Sequence, residues 1–371
     1  MDFNFHMPVQ VISGEHAVRD HAEVLHPLGK RCVIVTGGNS AQKSGALDDV
    51  IAALEQEGIS HQVFSEIGAN PLVSTCDRAG AMAREFGADF LIGIGGGSPM
   101  DAAKAAAIFA ANPKLSGEEI YDYTPEKGNA PLPVVLVGTT AGTGSEVSAV
   151  SVLTRDSDGR KKSISGPWCF ARVAFADPRY TYTLPYDVTV STALDALCHT
   201  VEGMLNPNIG DVIRPFGRRA LELIGPALVR MNEERTLPDA AERERLYYGS
   251  LYAGVVLAAC GSAFPHPMGY VLTENYGIPH GRACAVFLPA LVKYAKRSAP
   301  EVVREILGTL GMTFTKFKTM VDTLAAVELH MDTKEAHRYA ARWVGLKNFK
   351  NVPGGYDERR AYGLLVRLFV R

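Results

Sequence analysis

The chain has 371 residues, enough for two or three domain-sized units. Its composition, 47% hydrophobic and 21% charged, is that of a globular protein with sizeable cores. A net charge of -2 with no polybasic tract gives no footprint for nucleic acid or an anionic membrane surface. No apolar run reaches transmembrane length, and the start MDFNFHMPVQVISGE has no signal-peptide pattern. Cys32, Cys76, Cys169, Cys198, Cys260 and Cys284 form no C-x-x-C pair, so reduced thiols and a cytoplasmic location are expected.

In chain order, the first half alternates short apolar runs with helical stretches. Strands are expected over 31–38, 61–67, 89–98 and 132–140, the first, third and fourth of these runs ending in or near polar or glycine turns. Helices are expected over 44–58, 73–87 and 100–112. Continuous apolar strands separated by helices predict a parallel sheet covered on both faces. Two alternating runs around Ser157-Asp158-Gly159 predict a hairpin at the edge of that sheet. Beyond about residue 180 the periodicity is helical, as in VTVSTALDALCHTVEGML, RPFGRRALELIGPALVRMNEE and AERERLYYGSLYAGVVLAA. The fold class expected is therefore an α/β N-terminal domain with a parallel Rossmann-like sheet, residues 1–180, and an all-α C-terminal domain, residues 181–371.

Three polar glycine turns follow strands in the first half. GIGGGSPMDAAK (93–104) also opens a helix, with Ser98 expected as its cap, Pro99 in its first turn and Asp101 near its positive end. Consecutive glycines let backbone approach a ligand, and a helix N-terminus offers unpaired N–H groups to an anion. This is not the G-x-G-x-x-G fingerprint, since Ser98 occupies the last position. TTAGTGSE (139–146) and TGGNS (36–40) are the other two turns. One such turn is structural by default; three at the carboxyl edge of one sheet favour a dinucleotide. Residues 36–40 contain no acid to hold a ribose 2′-hydroxyl, while Asn39, Ser40 and nearby Lys43 can meet a 2′-phosphate, which favours NADP(H) over NAD(H).

In the second half, Asp195 and His199 lie at i and i+4 of a mostly apolar helix that includes Val188, Leu194, Leu197, Val201 and Leu205. That spacing puts them on one face, roughly 5–6 Å apart at Cβ. A buried carboxylate needs a compensating charge. FPHPMGYVLTENYGIPHG (264–281) adds His266 and His280. Ordinary core or surface histidines are the plain alternative for any one of these. Together, one carboxylate and three imidazoles suit Fe(II) or Zn(II) with room for a substrate oxygen, and H-E-x-x-H is absent.

With GGGSPMDAAK, TTAGTGSEV, DALCHTVEG and HPMGYVLTENYGIPHG in this order, the chain resembles the iron-containing (group III) alcohol dehydrogenase family, whose fold is that of dehydroquinate synthase and glycerol dehydrogenase. The motifs span about residues 30 to 290. The resemblance implies that Asp195, His199, His266 and His280 hold one divalent metal, often iron. It implies that Gly95, Gly96, Gly97 and Ser98 hold a cofactor diphosphate, with Asp101 nearby, and that Thr139, Thr140, Thr143 and Ser145 line the nicotinamide side. Gly37, Gly38, Asn39 and Ser40 resemble the adenosine turn of NADP-preferring members, and Asn70 and Lys162 match cofactor-contacting positions. Where many members carry a further relay histidine, four residues after the third ligand, this chain has Tyr270. The activity implied is hydride transfer between NADP(H) and a small alcohol or aldehyde, assisted by the metal, in a homodimer or larger homo-oligomer. A polyol dehydrogenase or a lyase on the same scaffold, and a non-catalytic nucleotide- or metal-binding protein, are the alternatives.

Overall fold

The computed structural model describes residues 5–370. They divide into two compact units, residues 6–184 and residues 185–370 joined by Phe5.

The first unit is built on a six-stranded sheet. Its strands are β1 (Gln10–Ser13), β2 (Arg31–Val35), β3 (Ser60–Phe64), β4 (Phe90–Gly95), β5 (Val134–Gly138) and β8 (Val173–Ala176), in the order β1-β8-β5-β4-β2-β3 and parallel throughout. Alternate residues of the central strands face opposite layers. Cys32, Ile34, Phe90, Ile92, Ile94, Val135 and Val137 enter one core, and Val33, Val35, Leu91 and Leu136 enter the other. Burial on both faces is what makes these strands continuous apolar runs. Helix Ala46–Gln56 covers the first face; helices Val73–Phe86 and Gly97–Ala111 cover the second.

From β2 the chain moves outward to β3, then returns to place β4 on the other side of β2. That reversal is a topological switch point, where loops at the carboxyl ends of the strands diverge and leave a crevice. The glycine turns 36–40 and 95–98 flank it, and 139–145 is the next turn along, after β5.

Three expectations are corrected. The hairpin exists as β6 (Val150–Thr154) and β7 (Lys161–Ser165), but it forms a separate two-stranded antiparallel sheet rather than an edge of the main one. Ser98 is not a cap: the helix begins at Gly97 after an extended Gly96, and the Ser98 hydroxyl instead accepts from Asn70 N at 3.2 Å. Strands β1 and β8 had no counterpart in the expected element list.

The second unit is helical. Helices Tyr186–Met204, Arg214–Glu234 and Ala240–Cys260 pack on one another, and His280–Ala285 packs against the first of these and against Pro265–Tyr276. Asp239 caps the 240–260 helix through a reciprocal pair with Glu242, satisfying two end donors. In the 186–204 helix Leu194, Leu197, Val201 and Leu205 are buried as expected, but Val188, in its first turn, is exposed. Helices Leu288–Ser298, Pro300–Thr309, Phe314–Ala325, Thr333–Ala340 and Glu358–Phe369 continue the unit beyond the last recognisable motif. No single helix among the described residues is long and apolar enough to cross a membrane.

Candidate metal centre and cofactor turns

In the helical unit, Asp195 and His199 come from the 186–204 helix, His266 from the start of the 265–276 helix and His280 from the first residue of the 280–285 helix. Proline precedes both later histidines, and it suits a helix start because its missing N–H has no partner there anyway. The four side chains meet. Asp195 Oδ1 lies 3.9 Å from His199 Nε2, 3.6 Å from His266 Nε2 and 3.8 Å from His280 Nε2. These distances are too long for hydrogen bonds. They are close to the roughly 3.3–3.6 Å that separates tetrahedral ligand atoms bound at about 2.0–2.2 Å to one cation.

Two atoms at the centre are buried with no hydrogen-bond partner in the described residues: Asp195 Oδ1 and His266 Nε2. A buried lone pair without a partner costs about 1–3 kcal/mol, and a divalent cation would satisfy both at once. The electrostatics agree. Burial alone would raise the Asp195 carboxyl, but His199, His280 and His266 outweigh it and hold it well below the usual carboxylate range. Burial alone would lower His266, yet Glu202 and Asp195 lift it to about 10. The cluster is built to hold positive charge, and a metal ion competes there with a proton. One carboxylate and three imidazoles is a donor set that fits Fe(II) or Zn(II).

Access is one-sided. The His280 side chain keeps 27% of its surface exposed, against 5%, 6% and 4% for Asp195, His199 and His266. The rings are fixed by packing: His199 stacks on His266 with centroids 4.6 Å apart, and Tyr270 stacks on His280 at 5.3 Å.

Sequence reasoning missed two residues here. Glu202 is fully buried; its Oε1 lies 2.7 Å from His266 Nδ1 and its Oε2 accepts from Ala263 N. With Nδ1–H given to Glu202, the Nε2 lone pair of His266 points at Asp195, and the carboxylate makes that imidazole a better donor. The available signal was position: Glu202 is seven residues after Asp195, on the same helical face. Cys284, read only as a buried thiol, sits one turn after His280 with Sγ at 3.7 and 3.8 Å from its two ring nitrogens, and its sulfur shares the metal-sized cluster with Asp195, His266 and His280. Glu202→Gln removes the charge and one of the two acceptors, since its amide NH2 cannot accept from Ala263 N or His266 Nδ1. Affinity for Zn(II), measured by competition with a chromophoric chelator, is expected to fall about 10- to 100-fold.

The turns of the α/β unit are also interlocked. A Cβ on Gly97 would come within 2.8 Å of the Thr143 methyl, and one on Gly96 within 3.2 Å of Thr140, so turns 95–98 and 139–145 pack in direct contact. Gly95, at φ +147°, takes a backbone conformation that side chains avoid. Thr36, Thr139 and Thr140, at the carboxyl ends of β2 and β5, have buried hydroxyls with no partner in the described residues. Orphaned hydroxyls clustered at a switch-point edge fit a polar ligand lying across it. In the turn after β2, Gly37 approaches Ile67 so closely that a Cβ would lie 1.8 Å from its carbonyl oxygen. Gly38, Asn39, Ser40 and Lys43 are exposed. Glu66, bridged across to Gly37, is paired with Arg78 at 2.5 Å.

Asp101, Lys162 and Asn70 are engaged within the protein. Asp101 accepts from Ser145 Oγ at 2.6 Å and Val152 N at 2.8 Å. Beside it, buried Lys104 donates to Ser145 O, Ser145 Oγ, Ser148 O and Val150 O at 2.8–3.0 Å, a tie from the 97–111 helix to the 145–150 segment that the sequence did not reveal. Lys162 Nζ lies 4.4 Å over the Tyr121 ring. Asn70, at φ +59°, gives its N–H to Ser98 and accepts from Thr154 Oγ1, which holds its loop beside the β4 turn.

Comparison with known proteins settles the family. The iron-containing alcohol dehydrogenase family model matches residues 8–178, and the C-terminal model of the Fe-containing alcohol dehydrogenase family matches residues 189–340. The chain belongs to the iron-containing alcohol dehydrogenase family. It is similar to long-chain-alcohol dehydrogenase 1 of Geobacillus thermodenitrificans, 32% identical over 76% of this chain and 71% of that one. It is also similar to an NADPH-dependent butanol dehydrogenase of Clostridium saccharobutylicum, 28% identical over 89% and 85% of the two chains. Among solved structures, an iron-containing alcohol dehydrogenase from Thermotoga maritima superposes with a TM-score of 0.91 at 34% identity, covering 99% of each chain. This family member is an oxidoreductase of the alcohol and aldehyde type, for which the family implies a metal and a nicotinamide cofactor.

Proposed function

We propose that the protein is a divalent-metal-dependent alcohol dehydrogenase, working chiefly as an aldehyde reductase, that moves hydride between NADP(H) and a small alcohol or aldehyde. Fe(II) is the metal of this reading. The observation that carries it is the convergence of three imidazole Nε2 atoms on Asp195 Oδ1, with that oxygen and His266 Nε2 buried and unpartnered.

When bound, the cation supplies Lewis acidity at the substrate oxygen, and the nicotinamide gives or takes the hydride. The chain's residues do the rest. Asp195 supplies the negative charge that, with His199, His266 and His280, would hold the cation. Glu202 fixes the tautomer and orientation of His266. His280, the most exposed of the four, marks the side from which substrate enters. This reading gives Tyr270, which stacks on His280, the task of passing the proton that balances hydride transfer. In the α/β unit, Gly95, Gly96, Gly97 and Ser98 would receive the diphosphate, and Thr139, Thr140, Thr143 and Ser145 the nicotinamide side. Asp101 and Lys104 hold Ser145 in place from behind.

NADP(H) preference rests on the adenosine turn. Residues 36–40 carry no acid, the acid across from Gly37 is neutralised by Arg78, and Asn39, Ser40 and Lys43 are exposed to meet a 2′-phosphate. The similar butanol dehydrogenase is named for NADPH. Six free cysteines, five of them buried, suit a reducing compartment, so the reading includes a cytoplasmic location, with a homodimer or larger homo-oligomer as its quaternary state.

The test is a paired initial-rate assay on protein reconstituted anaerobically with Fe(II), given NADPH or NADH and a panel of short aldehydes. Fast turnover with NADPH and little with NADH is expected. Preference for NADH would overturn the adenosine-turn reading while leaving the enzyme class; no turnover with either would overturn the reaction assignment.

A further inference from the structure

Within the helical unit, helices Leu288–Ser298 and Glu358–Phe369 help enclose a pocket of about 450 Å³ that shares no residue with the candidate metal centre. Four cations line it: Lys293 and Arg297 from the first helix, Arg360 and Arg367 from the second. No acid does. Arg360 pairs with Asp357 at 2.7 Å, while Lys293, Arg297 and Arg367 have no ion pair among the described residues.

The floor is aromatic and fixed. Tyr356 stacks on the fully buried Phe264 with centroids 4.0 Å apart, Tyr294 meets Tyr356 edge-on at 5.2 Å, and Tyr294 Oη donates to Gly355 O at 2.7 Å. Burial pushes the Tyr356 phenol up to about 12, while Arg367 and Arg360 pull against it. Gly363 also lines the pocket, and a side chain there would meet nothing within 4 Å, so the space above it is open.

Helix dipoles explain part of this charge and not the rest. Arg297 and Arg367 lie in the last turns of their helices, where cations are favoured. Lys293 is mid-helix, and Arg360 is in a first turn, where the dipole opposes it. With Arg360 paired to Asp357, three unpaired like charges remain around one concavity, and a bound anion relieves their repulsion.

We propose that this pocket binds a small anion carrying a chain of two or more phosphates. Three of the four cations are arginines, whose planar fork matches phosphate oxygens in pairs. The volume falls in the range of small-molecule sites and exceeds what one phosphate fills. The phosphate chain could be that of inorganic polyphosphate or of a nucleoside triphosphate.

Calorimetric titration of the metal-loaded protein, with saturating NADPH and excess Mg(II), would use inorganic tripolyphosphate, ATP and citrate as probes. One tripolyphosphate per chain is expected, with affinity at least about tenfold weaker in an Arg297→Glu/Arg367→Glu variant of unchanged melting temperature and turnover. Should that variant not fold, Lys293→Ala at an exposed position is expected to weaken binding in the same direction. Equal affinity for ATP and tripolyphosphate assigns recognition to the phosphate chain alone; tighter ATP adds the nucleoside to the ligand. No saturation by about 10 mM, unchanged affinity in the variants, or citrate binding as well as tripolyphosphate would overturn the proposal.

Discussion

Asp195→Asn is expected to abolish stoichiometric metal binding while leaving the protein folded. Asparagine keeps the volume and one carbonyl oxygen but removes the only anion among the four converging groups. Three neutral imidazoles would then face a divalent cation in a pocket where Asp195, His199 and His266 are nearly sealed from water. A buried charge without a counter-charge costs several kcal/mol, and solvent cannot repay it there. The loss in metal affinity should therefore exceed the 10- to 100-fold effect of an outer partner such as Glu202, reaching about a thousandfold or more. Turnover should fall in step, because polarisation of the substrate oxygen depends on the cation. The fold should survive, since Asp195 Oδ1 accepts no hydrogen bond from the described residues. Metal content after dialysis, measured by plasma mass spectrometry alongside a thermal melt, decides it. A folded variant that still carries one metal per chain would show that Asp195 is not a ligand.

What the sequence could and could not show follows from which contacts are local. Strands β2, β4 and β5 were legible because each is buried on both faces and so reads as an unbroken apolar run. Strand β8 is four residues, VAFA, and owes its place between β1 and β5 to partners far away in the chain. β1 is four residues at an edge, mostly exposed, and carries no burial pattern to read. The ligand candidates were legible because histidines next to proline and glycine are rare enough to stand out. Glu202 was not, because glutamate in a helix ordinarily marks a solvated face. Only the packing of residues 263 and 266 against it makes it a buried acceptor. Lys104 was hidden for the same reason, although the alanines around it on every side of its helix were a sign that this helix has no wet face. The cap expected at Ser98 failed because Gly96 already provides the extended residue from which the helix starts, which leaves the Ser98 hydroxyl for Asn70.

Gly281→Ala is expected to do more damage than any single ligand change, although it alters no ligand. A Cβ at residue 281 would lie 1.7 Å from Ser191 O, 2.7 Å from Ser191 C and 3.0 Å from Asp195 N. All three are backbone atoms, so no rotamer change can make room. The 280–285 helix would have to move off the 186–204 helix. That movement separates His280 from Asp195, which now face each other at 3.8 Å. Overpacking of cores typically costs about 1–3 kcal/mol where side chains can adjust, and a backbone clash in a buried helix pair should lie at or above the top of that range. Gly281 is not held in a left-handed conformation, so the effect is one of contact rather than of backbone freedom. Gly308→Ala is the matching control, because a Cβ there meets nothing within 4 Å and its helix should gain up to ~1 kcal/mol from the better helix former. Chemical denaturation and metal content should therefore separate the two variants: Gly281→Ala loses stability and metal together, and Gly308→Ala keeps its metal with equal or greater stability. A Gly281→Ala protein with wild-type stability and full metal would mean that the two helices do not pack at this distance, and the ligand geometry built on their contact would fall with it.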